Sequence, residues 1–222
     1  MDRLITVIWL ALLGGVIAIL AVPESRELFV AATRAHPYAM GFAKIGLLGT
    51  MGELLGGKIV TGSFRLTGIR LHQRALVWGF LGIVFALVFP LFSFGVEGLL
   101  EAGLLPGAGS TVATAAFKSA IMNLIFAFPM MAFHRVTDTL IERGQLFSIW
   151  PLTEVYQSID WRSMFRVVGL AIFWFWIPAH TVTFLLPPEF RVITAALLAV
   201  ALGFILGLAK RLSARRREDA AG

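Results

Sequence analysis

Five polar residues within otherwise apolar stretches of the sequence are the first candidates for chemistry. They are Lys44, Glu53, Lys118, Asn123 and His180. A charged side chain within a membrane-spanning helix costs about 2.5–3.5 kcal/mol at the centre of the bilayer, and such residues commonly mark the pathway of an ion or a substrate. If the apolar stretches cross a membrane, these side chains predict a polar route through it.

Enzymatic chemistry has little support in the sequence. The chain contains no cysteine, which excludes disulfides, thiolate metal sites and a cysteine nucleophile. No His-Glu-x-x-His, Walker or Gly-x-Ser-x-Gly motif occurs in it. We therefore expect no catalytic residues, no bound metal and no cofactor.

His134 and Asp138 form the one pair that leaves a different chemistry open. They share a helical face at i and i+4, with Arg135 beside them. A metal pair is one interpretation, although no third ligand is evident. A salt-bridged helix end at the inner membrane boundary is the interpretation that we favour. The same depth would suit a membrane-embedded enzyme acting on lipid, which we keep as a third functional alternative.

The composition identifies the surroundings of these polar residues. Hydrophobic residues make up 58% of the chain and charged residues 14%, whereas soluble domains average about 45–50% and 25%. A mean hydropathy of +0.84 cannot be hidden in a core of this size, because roughly 30% of the unfolded surface stays exposed after folding. The basic pI of about 10.5 does not predict nucleic-acid binding, because the basic residues lie between apolar runs. The predicted solvent is lipid.

Six apolar stretches are long enough to cross a membrane, which takes about 20 residues in a helix. They are predicted at residues 4–22, 39–61, 75–96, 112–133, 167–187 and 192–209. Charged residues in the second and fourth stretches make hydropathy alone ambiguous there. We predict an all-α fold, a polytopic transmembrane helical bundle that forms a single domain over residues 1–222 and ends in a basic tail at 210–222.

The distribution of basic residues supports six crossings. With six, both termini and two of the loops share one side, and this side holds most of the basic residues: Arg3, Lys58, Arg65, Arg70, Arg74, Arg135, Arg143, Arg162, Arg166, Lys210, Arg211, Arg215, Arg216 and Arg217. The other side holds Arg26, Arg34 and Arg191. Because basic residues in short loops stay on the cytoplasmic side, both termini are predicted to face the cytoplasm or the matrix. The membrane would be a prokaryotic cytoplasmic membrane or an organellar inner membrane.

Two further segments have amphipathic or targeting character. Apolar residues recur at i, i+3, i+4 and i+7 from Leu152 to Ile159, which predicts an interfacial amphipathic helix over residues 151–161. The first apolar stretch could instead be a secretory signal peptide with a cleavage site at Ala21. Its apolar run is longer than the roughly 7–15 residues usual in such peptides, which favours a transmembrane helix.

The second apolar stretch has a glycine-rich face. Gly46, Gly49, Glu53 and Gly56 or Gly57 follow one another at steps of three or four. The apolar side chains of this stretch contribute roughly −4 kcal/mol to insertion, while Glu53 alone costs about 3 kcal/mol, so other helices should enclose it. One interpretation is a close-packing seam with one buried carboxylic acid. The other is a pore lining that includes Gly49 and Glu53, with gating by protonation of Glu53.

The predicted directions of the helices set the depth of the polar side chains, at 1.5 Å per residue. Lys44 and Lys118 are expected roughly 8–10 Å below the outer boundary, with His180 in the same half of the membrane. Together these three could form a basic outer mouth above Glu53 and Asn123. Alternatively, each lysine extends to the outer headgroups, and the histidine bonds a carbonyl group that a nearby proline leaves free.

Short motifs in the sequence resemble those of a known family. In the C-terminal part they are Trp176, Pro178, Phe184, Pro187 and Arg191, ahead of the last apolar stretch. In the earlier part they are Gly52 with Glu53, and a stretch from Lys118 to Pro129 in which Asn123 stands near an acidic site of the family. On these residues the chain resembles the Mpv-seventeen and twenty-two-kilodalton peroxisomal membrane protein family, as a bacterial-type member, over roughly residues 37–211.

The resemblance implies a small integral membrane protein with weakly selective channel activity, often oligomeric and without a cofactor. The chain departs from the family pattern in Ile177, which separates Trp176 from Pro178, and in an additional N-terminal helix. The expected function is the passive passage of small solutes or ions through a channel or pore. Membrane lipid, the solute or ion and a second copy of the chain are the expected partners, and nucleic acid is not. A non-transporting membrane scaffold or lipid-binding protein is the alternative.

Overall fold

The computed structural model describes residues 2–219, with side chains as far as residue 214. This part of the chain is helical, with short connections. In chain order the helices are α1 Asp2–Ala21, α2 Pro23–Ala35, α3 Pro37–Thr61, α4 Leu71–Glu101, α5 Thr111–Met122, α6 Phe128–Arg143, α7 Leu152–Ser158, α8 Trp161–Ala171, α9 Ile177–Leu185 and α10 Pro188–Asp219. Two π-helical segments, Asn123–Ala127 and Ile172–Trp176, join α5 to α6 and α8 to α9.

Five helical stretches among the described residues are long and apolar enough to cross a membrane. They are Asp2–Ala21, Leu71–Glu101, Thr111–Arg143, Trp161–Leu185 and Pro188–Ala214. The prediction of an all-α chain with several membrane-compatible helices is therefore confirmed. Helix α3 has the necessary length of 25 residues, but its glycines and charged side chains make it less apolar than these five. A sixth crossing by α3 stays a prediction.

The helices extend beyond the apolar stretches predicted from the sequence. Helix α4 covers Leu71–Glu101, where the prediction was 75–96, and α6 continues to Arg143, past the predicted end at 133. The predicted basic tail is helical as far as Asp219. Hydropathy detects the part of a helix that hydrocarbon surrounds, whereas hydrogen bonding within the helix continues into the polar residues beyond it.

Each π-helical segment ends just before a proline. Asn123–Ala127 precedes Pro129, and Ile172–Trp176 precedes Pro178. A proline has no N–H group, and its ring clashes with the carbonyl group four residues earlier. A wider π-helical turn accommodates the ring without ending the helix. These two prolines therefore explain where the helices change their winding.

The helical chain groups into two compact units. The first unit combines the chain up to Ile83 with the part from Ala196 onward, and the second is Val84–Ala195. Helices α4 and α10 contribute residues to both units. The single domain predicted from the sequence stays a prediction.

In the first unit α3 packs closely against both α4 and α10. A Cβ atom on Gly46 would lie 3.3 Å from the Cα atom of Gly79 in α4, and one on Gly203 of α10 would lie 2.5 Å from the carbonyl oxygen of Gly52. The order of such contacts makes α3 antiparallel to α4 and parallel to α10. Glycine permits this backbone approach, so the glycines of α3 form close-packing contacts with two neighbouring helices.

Helices α1 and α2 also contact α3 in the first unit. Trp9, the buried residue of α1, donates a hydrogen bond from Nε1 to the carbonyl oxygen of Met51 at 3.1 Å. Helix α2 buries Phe29 and leaves Leu28 exposed. Three helices and the amphipathic α2 therefore surround the glycine-rich helix.

In the second unit α5 and α9 lie side by side. Ser119 Oγ of α5 donates to the carbonyl oxygen of Ile177 at 2.7 Å. Ala127, Val168 and Ile172 form a buried apolar cluster nearby. This packing brings the predicted polar residues of α5 and α9 to the same place.

Helix α7 is shorter than the interfacial helix predicted over residues 151–161. It covers Leu152–Ser158 and ends before Asp160, because this residue is the N-cap of α8 and leaves the helical conformation. Val155 is buried, whereas Leu152 and Tyr156 are about half exposed. The apolar residues of this helix are therefore only partly buried. Its position at a membrane interface stays a prediction.

Candidate functional site

Glu53 on α3 is held by two donors from α4. Arg74 donates from Nη1 to Oε1 of Glu53, which forms an ion pair. Trp78 donates from Nε1 to Oε2 at 3.0 Å. The Glu53 side chain is 28% exposed, so the carboxylate is neither fully buried nor left without a counter-charge.

Glu53 lines an open cavity in the first unit. The cavity has a volume of about 170 Å³, which is room for on the order of ten water molecules. Its walls are formed by Glu53, Leu54, Gly57, Lys58, Thr61, Ser63, Arg65, Ile69 and Arg74. The residues from α3 recur along one stripe, so the cavity follows this helix for roughly 12 Å from Glu53 to the end at Thr61, at 1.5 Å per residue.

The cavity wall carries more positive than negative charge. Its residues include the cations Lys58, Arg65 and Arg74 and the single carboxylate of Glu53. Helix α3 ends next to the cavity at Gly62, which adopts the left-handed conformation with φ 86° and donates its N–H to the carbonyl oxygen of Lys58 at 2.7 Å. The side chains of the following connection can therefore turn back towards the last turns of α3.

Lys58 connects the cavity wall to the start of the chain. Its Nζ donates to Oδ2 of Asp2 at 2.7 Å and to the hydroxyl of Thr6 at 2.9 Å. It also lies 4.3 Å from the ring centroid of Phe64, which is a cation–π contact. The backbone N–H of Phe64 donates to the other carboxylate oxygen of Asp2 at 2.7 Å. These contacts fix the N-terminus of α1 beside the end of α3.

Gly49 lies against Trp78 rather than on the cavity. A Cβ atom at this position would be 2.7 Å from the indole ring. Gly49 therefore makes room for the side chain that donates to Glu53, which is a packing role for a residue predicted to line a pore.

Lys44 is buried and bound within the first unit. Its Nζ donates to Oγ1 of Thr33 at 2.8 Å and lies 4.3 Å from the ring centroid of Phe29. Both partners belong to α2. The ammonium group is thus held by the amphipathic helix that precedes α3, which differs from the predicted extension to the lipid headgroups.

Lys118 forms an ion pair in the second unit. Its Nζ donates to Oε1 of Glu97 on α4. The lysine side chain is 7% exposed and that of the glutamate 46%. Glu97 is also part of the wall of a second open cavity, of about 190 Å³, which includes Glu101 and Thr114. The partly exposed carboxylate of Glu97 thus compensates the charge of the buried Lys118.

Asn123 and His180, predicted separately from the sequence, contact each other in the second unit. The Asn123 amide nitrogen donates to the carbonyl oxygen of Ser119 at 2.8 Å and lies 3.2 Å from Nδ1 of His180. With the amide donating, Nδ1 accepts and the imidazole proton lies on Nε2. The predicted bond from His180 to a carbonyl group freed by Pro178 is therefore replaced by a bond to a side chain.

Aromatic rings enclose His180. Trp176 stacks on the imidazole with ring centroids 5.0 Å apart, and the edge-on ring of Phe89 lies at 5.7 Å. Nε2 of His180 is buried without a hydrogen-bond partner among the described residues. Trp176 is thus a packing residue of this histidine.

The motif residues near the C-terminus shape the turn from α9 to α10. Arg191 donates from Nε to the carbonyl oxygen of Leu186 at 3.2 Å and from Nη1 to Oγ of Ser93 at 3.2 Å. Its guanidinium also lies 5.4 Å from the ring centroid of Phe184. Pro187 accepts a hydrogen bond from the N–H of Phe190 at 3.0 Å in the same turn. These residues position two helices.

The motif residue Gly52 and the predicted His134–Asp138 pair also make direct contacts. In the first unit, a Cβ atom on Gly52 would lie 3.0 Å from the carbonyl oxygen of Ala199 in α10. In the second unit, Nε2 of His134 and Oδ2 of Asp138 are 3.8 Å apart on one face of α6. This i, i+4 contact has the geometry of the favoured salt-bridge interpretation.

The structure divides the predicted site residues between the two units. Lys44, Gly49 and Glu53 lie on α3 in the first unit, and Lys118, Asn123 and His180 lie in the second. Within the second unit Asn123 and His180 are brought together. Within the first unit Glu53 borders a cavity.

Several residues that complete these arrangements were not among the predicted site residues. Arg74 and Trp78 bind Glu53, and Glu97 binds Lys118. Arg74 stands immediately before the predicted start of the third apolar stretch, where it reads as a loop cation. The opposite charges of Arg74 and Glu53 were the only feature of the sequence that suggested this ion pair. Sequence spacing does not give the register between two helices, so the pair could not be predicted.

Comparisons of the chain with family models, with curated proteins and with solved structures gave no match. The resemblance inferred from the motifs therefore stays a prediction.

Proposed function

We propose that this chain is an integral membrane protein with six crossings that passes small solutes or ions passively through a channel. The sixth crossing is α3. In its favour, α3 runs antiparallel to α1 and α4 and parallel to α10, all three of which belong to stretches apolar enough to span. At 1.5 Å per residue its 25 residues reach about 37 Å, more than the roughly 30 Å of hydrocarbon.

The orientation in this proposal places the basic end of the first unit on the cytoplasmic or matrix side. Lys58, Arg65 and Arg74 gather around the end of α3 near Asp2. Basic residues that flank short loops are retained on the inner side of a membrane. Both termini would then face that side.

The observation that carries the channel proposal is the cavity beside Glu53. An ionisable residue inside a membrane helix is by default a mark of an ion or solute pathway, and Glu53 borders a cavity with charged walls that runs along α3. We assign this cavity as the inner entrance of the path. Within the second unit, Asn123 and His180 stay predicted lining residues.

Flux from sealed liposomes that contain the purified protein tests this proposal. Gly57 borders the cavity, and a Cβ atom there would meet no atom within 4 Å, so Gly57→Leu should narrow the entrance and slow solute release. Gly98→Leu is the matched control, because Gly98 is also an exposed helical glycine with open space around it but lies outside the cavity wall.

The proposal also predicts a change in ion preference. Glu53→Gln removes the negative charge from a wall with three cations, so the flux of anions relative to cations should rise. Tight wild-type liposomes, or equal flux through wild-type protein and the Gly57→Leu and Glu53→Gln variants, would contradict the channel.

A non-transporting scaffold or lipid-binding protein is the second candidate. It is favoured by the partners of the polar side chains: Lys44 binds Thr33, Glu53 binds Arg74, and Lys118 binds Glu97. Such pairs can serve as structural contacts between helices. Liposomes that remain tight while the protein retains a specific lipid would favour this function over the channel.

A further inference from the structure

The cavity beside α3 has the donor set of an anion site. Its wall includes Arg65 and Arg74, which carry guanidinium groups, Lys58, which carries an ammonium group, and Ser63, which carries a hydroxyl. Guanidinium groups match the oxygens of a phosphate in a two-pronged geometry, and an ammonium group adds a compact charge. We infer that this cavity binds a phosphate group.

The internal carboxylates leave part of this positive charge uncompensated. Glu53 pairs with Arg74, and Asp2 pairs with Lys58. Arg65 is exposed at the cavity wall, and no acidic side chain pairs with it among the described residues. A phosphate in the cavity could therefore pair with the uncompensated charge of Arg65. It would share Lys58 and Arg74 with the carboxylates that already bind them.

The size and the lining of the cavity set the class of ligand. About 170 Å³ accommodates a phosphate and the few atoms attached to it. The wall contains no aromatic ring among its described residues, so it offers no surface on which a nucleobase could stack. A phosphate monoester or diester fits this site better than a nucleotide or a nucleic acid.

Two sources could supply the phosphate. The cavity lies along the last turns of α3, and in the proposed topology this end faces the inner side, where basic pockets between membrane helices bind the headgroups of anionic lipids. Free phosphate from solution would use the same donors. The inference requires the cavity but not a conducting path, so it holds for either proposed function.

The full-length purified protein in lipid nanodiscs tests the inference with two arms. In the lipid arm, nanodiscs contain equal amounts of phosphatidylglycerol and phosphatidylcholine, and native mass spectrometry measures which lipid stays bound. In the free-phosphate arm, nanodiscs contain phosphatidylcholine alone, and calorimetry follows the titration of inorganic phosphate. Retention of phosphatidylglycerol identifies the lipid source, and a phosphate isotherm identifies the free ion.

Two variants locate the binding. Arg65→Gln should weaken binding about fivefold, the effect of one basic residue near a charged headgroup, and because Arg65 is exposed the variant should fold. Arg162→Gln is the matched control, since Arg162 is also exposed but lies outside the cavity wall. Gly57→Leu should weaken binding by filling the cavity while it leaves every charge in place, with Gly98→Leu as its control.

The outcomes separate this inference from the channel. Binding in either arm that falls in Arg65→Gln and Gly57→Leu, but not in the two controls, supports the phosphate site even if the liposomes prove tight. Absence of binding in both arms overturns it. Binding that is equally strong in the wild type and in both cavity variants also overturns it, because the phosphate would then lie elsewhere.

Discussion

At the scale of single residues, Glu53 shows how a charged group can be accommodated inside an apolar helix. The sequence predicts that this carboxylate must be sheltered, because its insertion cost offsets most of the gain from its apolar neighbours. The shelter consists of Arg74 and Trp78, which donate to its two oxygens. Neither partner could be predicted, because both depend on the register between α3 and α4.

The ion pair leads to a prediction about stability. Glu53→Gln should lower the free energy of unfolding by about 1–3 kcal/mol, because the Arg74 guanidinium loses its charged acceptor in a partly buried site. Titration with a denaturing detergent, followed by circular dichroism, measures this change. Glu27→Gln is the control, since Glu27 is exposed on α2, and it should leave stability unchanged. Equal effects of the two substitutions would argue against the Glu53–Arg74 pair.

At the scale of helices, the close packing of α3 could be predicted in part. The spacing of its glycines indicated that another backbone approaches this helix, and α4 and α10 do so on two different faces. The neighbours themselves could not be predicted, since a glycine pattern does not specify its partner. The π-helical segments before Pro129 and Pro178 were likewise missed, because hydropathy carries no information about helical winding.

The glycine contacts predict effects of opposite sign for the same substitution. Gly203→Ala should lower the free energy of unfolding by about 1–3 kcal/mol, because the new Cβ atom would lie 2.5 Å from the Gly52 carbonyl oxygen. Gly95→Ala should raise it by about 0.5–1 kcal/mol, because Gly95 lies within α4 with no atom near the new methyl group. The same detergent titration compares them. Stabilisation by Gly203→Ala would show that α10 does not pack against α3 in this way.

At the scale of the whole molecule, composition was enough to predict a helical chain with membrane-spanning character. Length and apolarity identify five stretches directly, because a membrane helix must satisfy its backbone within itself and present apolar side chains to lipid. The crossing by α3 depends instead on packing between helices and on the placement of basic residues. The grouping into two compact units could not be predicted from the composition.

The proposed topology predicts the sides on which two connections are exposed. With six crossings, Thr67 lies after α3 on the inner side and Glu27 lies on α2 on the outer side. Because the chain contains no cysteine, Thr67→Cys and Glu27→Cys each introduce a single thiol at an exposed position. A membrane-impermeant maleimide should label them from opposite faces of sealed vesicles. Labelling of both from the same face would mean that α3 does not cross.

The central claim is that water and ions reach Glu53 along the cavity beside α3. Single cysteines at Leu54, Gly57 and Leu47 test it most directly, since the first two positions border the cavity and Leu47 is exposed on α3 outside it. A charged thiol reagent should react quickly at positions 54 and 57, added from the basic side, and slowly at position 47, because hydrocarbon excludes both the thiolate and the reagent. Equal reaction rates at the three positions, or an unreactive position 57, would contradict the account.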